Sequence, residues 1–215
     1  MTKLLNNIPD DFELVNKNYY QNIEDYDWVK ITDNFIGLES FFHYLRQKSF
    51  IKELTKTQAV VGQTVLDAGC GTGLLTRHLP PTTIGVDLNP RHIAKAKINV
   101  PGVNFLVADL ENLPFAAETF SFIVCTEVIE HFPAPEKALR ELKRVLKKDG
   151  YLLGTVPRAS IFWRFRFLSS TRPKEPYHHY FQEAELKTLL EKHFQICKLE
   201  KINFHSTLLF LLKNK

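Results

Sequence analysis

Residues Val65 to Gly73 read Val-Leu-Asp-Ala-Gly-Cys-Gly-Thr-Gly, an apolar run that ends in three glycines spaced one residue apart. The run predicts a strand, and the glycines predict the turn from that strand into a helix. A glycine turn has no Cβ atoms to hold a ligand away from the backbone, and it tolerates positive φ angles. Because ligands bind at the carboxyl ends of the strands in a parallel α/β sheet, this stretch predicts a ligand site as well as a fold.

Short apolar segments alternate with helix-like segments on both sides of this turn, as a parallel sheet with crossover helices requires. One helix is predicted to begin at Asn89 and Pro90, and another to begin at Pro135, carry Lys147 in its last turn and stop at Gly150. The last two strands are separated by only three residues, which permits a hairpin but no parallel crossover. We predict an α/β, Rossmann-like three-layer sandwich with a mostly parallel seven-stranded sheet and an antiparallel C-terminal strand. The strands are expected at Thr64–Ala68, Thr83–Val86, Val103–Ala108, Phe120–Thr126, Tyr151–Val156, Ile196–Ile202 and Ser206–Leu212.

The 215 residues are sufficient for one large α/β domain. The segment 1–55 is rich in aromatic residues and partly helical, and it is interpreted as an N-terminal cap that either packs against the sheet or covers a substrate as a lid. We divide the remainder into a cofactor-binding core at 60–157, a substrate-side insert at 158–181, and a last helix with the C-terminal hairpin at 182–215.

The charge and the cysteine content argue against several kinds of partner and site. A formal net charge of +4 is too small to argue for a nucleic-acid partner. The three cysteines are far apart and lack a C-x-x-C spacing, so we expect neither a disulfide framework nor a four-thiolate zinc site, and we expect a cytoplasmic location. Neither a secretory leader nor an apolar run long enough to span a membrane is expected.

Three aspartates are predicted at the ends of the first three strands. Asp67 precedes the glycines, where a carboxylate repels a phosphate and attracts an ammonium group. Asp87 lies about 20 residues beyond the first glycine, the usual place for a carboxylate that binds ribose hydroxyls, and Asp109 is placed to accept a hydrogen bond from an exocyclic amine. Each alone has the alternative of a helix cap or turn residue. Together they describe a phosphate-free ligand with an adenine, a ribose and an amino-acid end, which is S-adenosylmethionine, and the G-x-G-x-G spacing disfavours a nicotinamide or flavin dinucleotide.

Four segments form a recognisable set of motifs: Leu66–Gly73, Gly85–Asp87, Ala108–Asp109 with Leu113–Phe115, and Glu127–Phe132. These motifs resemble those of the class I S-adenosylmethionine-dependent methyltransferases, most of all the small-molecule branch that includes the ubiquinone-biosynthesis O-methyltransferases. The resemblance covers residues 60–157 well and residues 1–50 poorly.

This resemblance implies that the chain is an enzyme with S-adenosylmethionine as cofactor and S-adenosylhomocysteine as its product. It also assigns a part of the cofactor to each strand end. The glycine loop (Asp67, Ala68, Gly69, Gly71 and Gly73) is expected at the methionine end, Asp87 at the ribose, Leu88 at the adenine face, Asp109 and Leu110 at the adenine edge, and Thr126 and Glu127 beside the sulfonium.

The segment after the fourth strand carries the candidate catalytic groups. His131 is the leading general base, with Glu130 or Glu127 to orient it. Two alternatives stay open: Glu127, Glu130 and His131 could ligate a divalent cation, which similar segments of the ubiquinone branch are associated with, or Glu130 and His131 only shape the loop. His178 and His179 are weaker candidates, either at the border of the acceptor pocket or in aromatic packing.

The insert carries five positive charges and no acid between Arg158 and Lys174. It is interpreted as a pocket wall, as a peripheral membrane contact through residues 158–174, or as a surface that stacks on single-stranded nucleic acid, in that order. The function we expect is methyl transfer to a small-molecule acceptor, with O-methylation of a phenol or carboxylate favoured and a lipophilic acceptor considered. The alternatives are a methyltransferase for RNA or protein and a non-catalytic module that binds S-adenosylmethionine.

Overall fold

A computed structural model describes residues 12–23, 27–35, 37–57, 62–158 and 178–215. Within these ranges, one seven-stranded sheet is combined with six α-helices and two short 3-10 helices. The strands are β1 (Val65–Ala68), β2 (Ile84–Asp87), β3 (Asn104–Val107), β4 (Phe120–Thr126), β5 (Leu146–Pro157), β6 (Gln195–Ile202) and β7 (Thr207–Lys213). The helices are α1 (Phe12–Asn22), α2 (Trp28–Asp33), α3 (Gly37–Thr57), α4 (Pro90–Asn99), α5 (Glu136–Val145) and α6 (Glu183–Glu191), with the 3-10 helices at Thr76–His78 and Ile129–His131.

The strands lie in the order β3-β2-β1-β4-β5-β7-β6. Neighbours are parallel from β3 to β5, and β7 runs antiparallel to both β5 and β6. The predicted mostly parallel seven-stranded sheet with an antiparallel C-terminal strand is therefore confirmed. The order of connection reverses between β1 and β4, so the carboxyl ends of these two strands form the switch point at which open α/β sheets bind ligands.

The helix before β5 differs from its prediction. Helix α5 ends at Val145, and β5 begins with Leu146, which is fully buried and pairs with Phe120 of β4. Lys147 therefore lies in a strand, and the prediction that Lys147 closes the helix and Gly150 stops it was wrong. Burial of Leu146 in the sheet stabilises the extended backbone more than a further helical turn would, because the residues that follow in that turn, Lys147, Lys148 and Asp149, are all exposed.

Apolar residues cover both faces of the sheet. On one face, α5 and α6 bury Leu139, Leu142 and Leu190 against the strands. On the other face, Phe50 and Leu54 of α3 pack against residues of β1, β4 and β7. The N-terminal cap thus provides part of the core, and in the described part of the chain no helix has the length and apolar character needed to cross a membrane.

Helix α4 has the cap that the sequence predicts. The Asn89 side chain accepts hydrogen bonds from the backbone amides of Arg91 and His92, and Pro90 occupies the first turn. Ile93 is buried against the sheet. The helix therefore begins directly behind the end of β2 and fixes the position of Asp87.

Asn214 closes the other end of the sheet. Its side-chain Nδ2 lies 2.8 Å from the carbonyl oxygen of Leu146 and 3.3 Å from those of Lys143 and Lys147. The residue is only 6% exposed. The C-terminal residues therefore supply donors to carbonyl groups that the end of α5 leaves without helical partners.

We predict that Asn214→Asp lowers the free energy of unfolding by about 1–3 kcal/mol, because the carboxylate has no donor and leaves buried carbonyls unsatisfied. Urea unfolding followed by circular dichroism measures the change. Gln195→Glu is the matched control, since it introduces the same charge at an exposed position of β6. Equal stability of the two variants would contradict the role given to Asn214.

Candidate functional site

The glycine loop after β1 folds over the end of β2. Gly69, Gly71 and Gly73 all have positive φ angles, and the amides of Gly69 and Cys70 both donate to the carbonyl of Val86. A Cβ atom at Gly69 would lie 2.3 Å from the Val128 side chain. A Cβ at Gly71 would lie 3.2 Å from the Trp28 ring. The loop therefore requires glycine both for its backbone angles and for the close approach of neighbouring groups.

Asp87 holds this loop in place. Its Oδ2 accepts a hydrogen bond from the Gly71 amide at 2.9 Å, and its Oδ1 accepts one from the Asn89 amide at 2.9 Å. The ring of His92 lies 3.3 Å from the same Oδ1. The carboxylate is thus fixed at the end of β2, between the loop and α4. This is the position that the sequence predicts for a carboxylate that binds ribose hydroxyls.

Asp67 lies beneath the loop, with 2% of its surface exposed. Its Oδ2 accepts a short hydrogen bond from the Thr76 hydroxyl, at 2.6 Å. Burial raises the pKa of Asp67 to about 7; the Thr76 hydrogen bond opposes this rise, and the negative charge of Asp87 adds to it. The carboxyl group therefore changes charge near neutral pH, directly behind the turn.

Asp109, after β3, is bonded from two sides. Its Oδ1 accepts from the Glu111 amide, and its Oδ2 accepts from Lys17 Nζ at 3.0 Å. Lys17 also pairs with the buried carboxylate of Glu111. Burial lowers the pKa of Lys17, but hydrogen bonds to both carboxylates outweigh that effect and raise it above the usual range. Helix α1 thus carries a cation onto the strand end where the adenine edge is predicted.

Glu127 directly follows β4 and has a φ angle of 55°. Its Oε2 forms an ion pair with Arg46 of α3 at 2.7 Å, and its Oε1 accepts from the Thr155 hydroxyl at 3.0 Å. Both side chains of the ion pair are mostly buried, with 14% and 19% exposure. Helix α3 therefore anchors the residue that was predicted beside the sulfonium.

The candidate base follows in the 3-10 helix after β4. His131 Nδ1 lies 2.7 Å from the Tyr20 hydroxyl, and His131 Nε2 lies 3.9 Å from Glu130 Oε1. The Glu130 side chain is 1% exposed. The Asn16 side chain donates to the His131 carbonyl, so α1 contacts this histidine at two points.

The two later histidines, His178 and His179, contact different parts of the structure. The ring of His178 meets that of His131 at 5.1 Å and stacks on Tyr180. His179 pairs with Glu185 of α6 at 2.8 Å. His178 therefore borders the same region as His131, whereas His179 is tied to the start of α6.

The structure brings the predicted site residues of the first four strands to one edge of the sheet. Ala68 is completely buried and Leu110 is 5% exposed, while Leu88 and Thr126 are half-buried at the same strand ends. The roles of individual residues stay predictions.

The hypothesis of a divalent cation at Glu127, Glu130 and His131 gains no support. No group of three metal-ligating side chains occurs in the described ranges, and Glu127 is paired with Arg46. Residues 159–177, which hold most of the basic insert, lie outside the described residues.

Three contacts at this edge were missed by the sequence analysis. Lys17, Tyr20 and Arg46 all come from the N-terminal cap, where only a choice between packing and lid was made. Helix α3 packs against the sheet, as the packing interpretation expects. Helix α1 contacts Asp109 and His131 at the strand ends, and its role as a lid stays a prediction. A lysine and a tyrosine one turn apart, Lys17 and Tyr20, would have been the pattern to notice, since such residues share a helix face.

The donor set fits the amino-acid nucleoside that the sequence predicts. The glycine loop has no Cβ atoms to keep a ligand away from its backbone, and the carboxylates of Asp67 and Asp87 favour a cationic group beside it. Phosphates of a dinucleotide would be repelled by these two carboxylates, whereas the charge of Asp109 is compensated by Lys17. Asp67 and the glycines would hold the methionine end, and Asp87 and Asp109 would hold the nucleoside.

We predict that Asp67 makes the stability of the protein dependent on pH. Because its pKa rises from 3.8 to about 7 on folding, the stabilising protonated form is fully populated below pH 4 and is lost as the pH rises through 7. Urea unfolding at pH 5 and pH 8 should show that Asp67→Asn removes on the order of 2–3 kcal/mol of the loss seen in the wild type. The same pH dependence in the wild type and in Asp67→Asn would contradict the assignment.

Comparison with known proteins agrees with this geometry. Residues 66–154 match a family model described as a methyltransferase domain. The chain is 35% identical over 134 residues to 2-methyl-6-phytyl-1,4-hydroquinone methyltransferase 1 of rice (Oryza sativa subsp. japonica), covering 57% of this chain and 41% of that protein. It is 40% identical over 106 residues to a phthiotriol/phenolphthiotriol dimycocerosates methyltransferase of Mycobacterium ulcerans, covering 46% and 39% of the two chains.

The chain thus spans about two fifths of the length of these curated relatives. Among solved structures, magnesium protoporphyrin IX methyltransferase of Synechocystis PCC 6803, with bound S-adenosylhomocysteine, superposes with a TM-score of 0.65 at 15% identity. That alignment covers 96% of this chain and 97% of the other, and it shows a shared fold. Residues 66–154 are therefore similar to a methyltransferase domain, and the resemblance of the core to the class I S-adenosylmethionine-dependent methyltransferases is confirmed.

Proposed function

We propose that the protein binds S-adenosylmethionine and transfers its methyl group to a small, lipophilic acceptor. The observation that carries the proposal is the glycine loop tied to Asp87 between two further acidic strand ends. The matched methyltransferase domain covers this loop and all four strand ends. When bound, S-adenosylmethionine supplies a methyl group that is already activated by a sulfonium.

The protein's own residues then have a limited chemical task. They must hold an acceptor in line with the methyl group and exclude water, and good alignment contributes about 7–11 kcal/mol. A phenol must also lose its proton, for which His131 is the proposed base, held in the loop beside Glu130. The cap provides the cover, because α1 contacts both the Asp109 and the His131 sides of the site.

A phenolic acceptor with a long apolar chain is the substrate class we favour. The rice relative is named for 2-methyl-6-phytyl-1,4-hydroquinone, and the relative from Mycobacterium ulcerans is named for phthiotriol and phenolphthiotriol dimycocerosates. Peripheral contact with a membrane through residues 158–174 would suit such an acceptor, and a cytoplasmic location is proposed with it. The alternatives of an RNA or protein substrate and of a non-catalytic binding module are outcomes of the experiments below.

We predict that S-adenosylhomocysteine at 100 times its dissociation constant raises the melting temperature by roughly 5–10 °C, as about 2.7 kcal/mol of stabilisation implies. NAD should give no shift. Asp87→Asn should remove most of the shift, because the amide both loses the charge and disturbs the Gly71 contact. Asp149→Asn, at an exposed position of β5, is the control and should bind as the wild type does. A shift with NAD alone would overturn the cofactor assignment.

We predict that a screen with methyl-labelled cofactor gives most product from prenylated phenols or hydroquinones, presented in detergent or vesicles. His131→Ala should lower kcat about 10²–10⁴-fold, the usual contribution of a general base, while the affinity for S-adenosylhomocysteine stays within twofold. His193→Ala, at the end of α6 and away from the site, is the control. Labelling of RNA or protein but of no small molecule would favour that alternative, and binding without any turnover would favour a non-catalytic module.

A further inference from the structure

The hydrogen bond between Tyr20 and His131 joins two residues that are 111 positions apart in the chain. The rings lie at a centroid distance of 4.5 Å with a tilt of 47°. Asn16, one turn earlier on α1, donates to the His131 carbonyl. Helix α1 thus positions one specific hydroxyl group against one ring nitrogen of the candidate base.

The surroundings of His131 indicate which ring nitrogen accepts a hydrogen bond and which one carries the proton. With Tyr20 as the donor, Nδ1 is the acceptor and the ring proton lies on Nε2, the nitrogen that faces the buried Glu130 carboxylate. The negative charge of Glu130 at 3.9 Å favours the imidazolium that forms when His131 gains a second proton. The ring of His178 also meets the His131 ring, edge to face, at a centroid distance of 5.1 Å.

Tyr20 also borders the predicted cofactor site. Its carbonyl oxygen accepts a hydrogen bond from the Asn89 side chain, two residues beyond Asp87, at 3.0 Å. One turn before it, Lys17 contacts Asp109. The tyrosine therefore lies between the strand ends that are predicted to hold the nucleoside and the histidine that is predicted to act as base.

We propose that Tyr20 is a catalytic residue that relays the acceptor's proton to His131. The inference rests on the proposed methyl transfer and adds the group that meets the acceptor hydroxyl. A hydroxyl can donate to Nδ1 and accept from the acceptor at the same time, which a phenylalanine cannot. The ordinary pKa of a tyrosine is near 10, so it matches that of a phenolic acceptor and the proton exchange between them is nearly thermoneutral.

The relay passes one proton from the acceptor through Tyr20 to His131. The acceptor O–H gives its proton to the Tyr20 oxygen, and the Tyr20 proton moves to His131 Nδ1, which becomes an imidazolium beside Glu130. The acceptor oxygen forms the new bond to the methyl carbon while the sulfur–carbon bond breaks and its electron pair stays on sulfur. His131 later releases the extra proton to solvent, and Tyr20 is regenerated as a neutral phenol.

The decisive comparison is Tyr20→Phe against Tyr20→Ala. The phenylalanine keeps the ring that packs on His131 and removes only the hydroxyl. We expect kcat to fall about 10²-fold in both variants, with the affinity for S-adenosylhomocysteine and the KM of the acceptor within threefold of the wild type. Tyr19→Phe, the adjacent tyrosine on α1, is the matched control and should retain wild-type kcat.

Two further readouts separate a relay from mere packing. The solvent deuterium isotope effect on kcat should decrease in Tyr20→Phe, because one proton in transit is removed. The double variant Tyr20→Phe with His131→Ala should be hardly slower than His131→Ala alone, because the two residues act as one unit. Wild-type kcat in Tyr20→Phe, or loss only in Tyr20→Ala, would overturn the relay, whereas absence of turnover by the wild type on any acceptor would instead count against the proposed function.

Discussion

The site depends on the contact between the Gly71 amide and the Asp87 carboxylate, which ties the loop after β1 to the end of β2. This contact requires the left-handed backbone of the glycines, and the glycines are also where Trp28 and Val128 approach the loop. A carboxylate fixed by two backbone amides has a defined orientation before any ligand arrives. The geometry of the cofactor site is therefore set by the sheet and by one loop. The groups that are proposed to act on the acceptor come from other elements, among them the N-terminal cap.

The N-terminal cap connects these elements. Helix α3 is part of the core on one face of the sheet and anchors Glu127 through Arg46, while α1 contacts Asp109, Asn89 and His131. A ligand that enters between α1 and the strand ends must share or displace the hydrogen bonds of Lys17. Cofactor binding and the position of Tyr20 are thus coupled through a single short helix, because the two residues lie one turn apart.

Most of the fold could be predicted from local patterns. The apolar run Phe120–Thr126 and the Asn89 cap are strong indicators because short segments with few alternatives determine them. The end of α5 was wrong because Leu146 joins the sheet through long-range pairing with Phe120, which periodicity does not reveal. For the same reason Lys17, Tyr20 and Arg46 were missed: their partners lie 92, 111 and 81 residues away, and no spacing rule links such distant positions.

The buried carboxyl group of Asp67 makes the binding of a cationic ligand dependent on pH. Its buried carboxyl group has a pKa near 7, so the protein without a ligand is divided between the neutral and ionised forms at physiological pH. A cation bound beside the loop favours the ionised form, which means that binding releases protons and tightens as the pH rises. The cost of burying a carboxylate is thereby offset when the positive ligand arrives, and a neutral analogue of the same shape gains nothing from that charge. The buried aspartate lies at the predicted methionine end, so it would favour ligands that carry the ammonium group, which S-adenosylmethionine and S-adenosylhomocysteine share, over analogues that lack it.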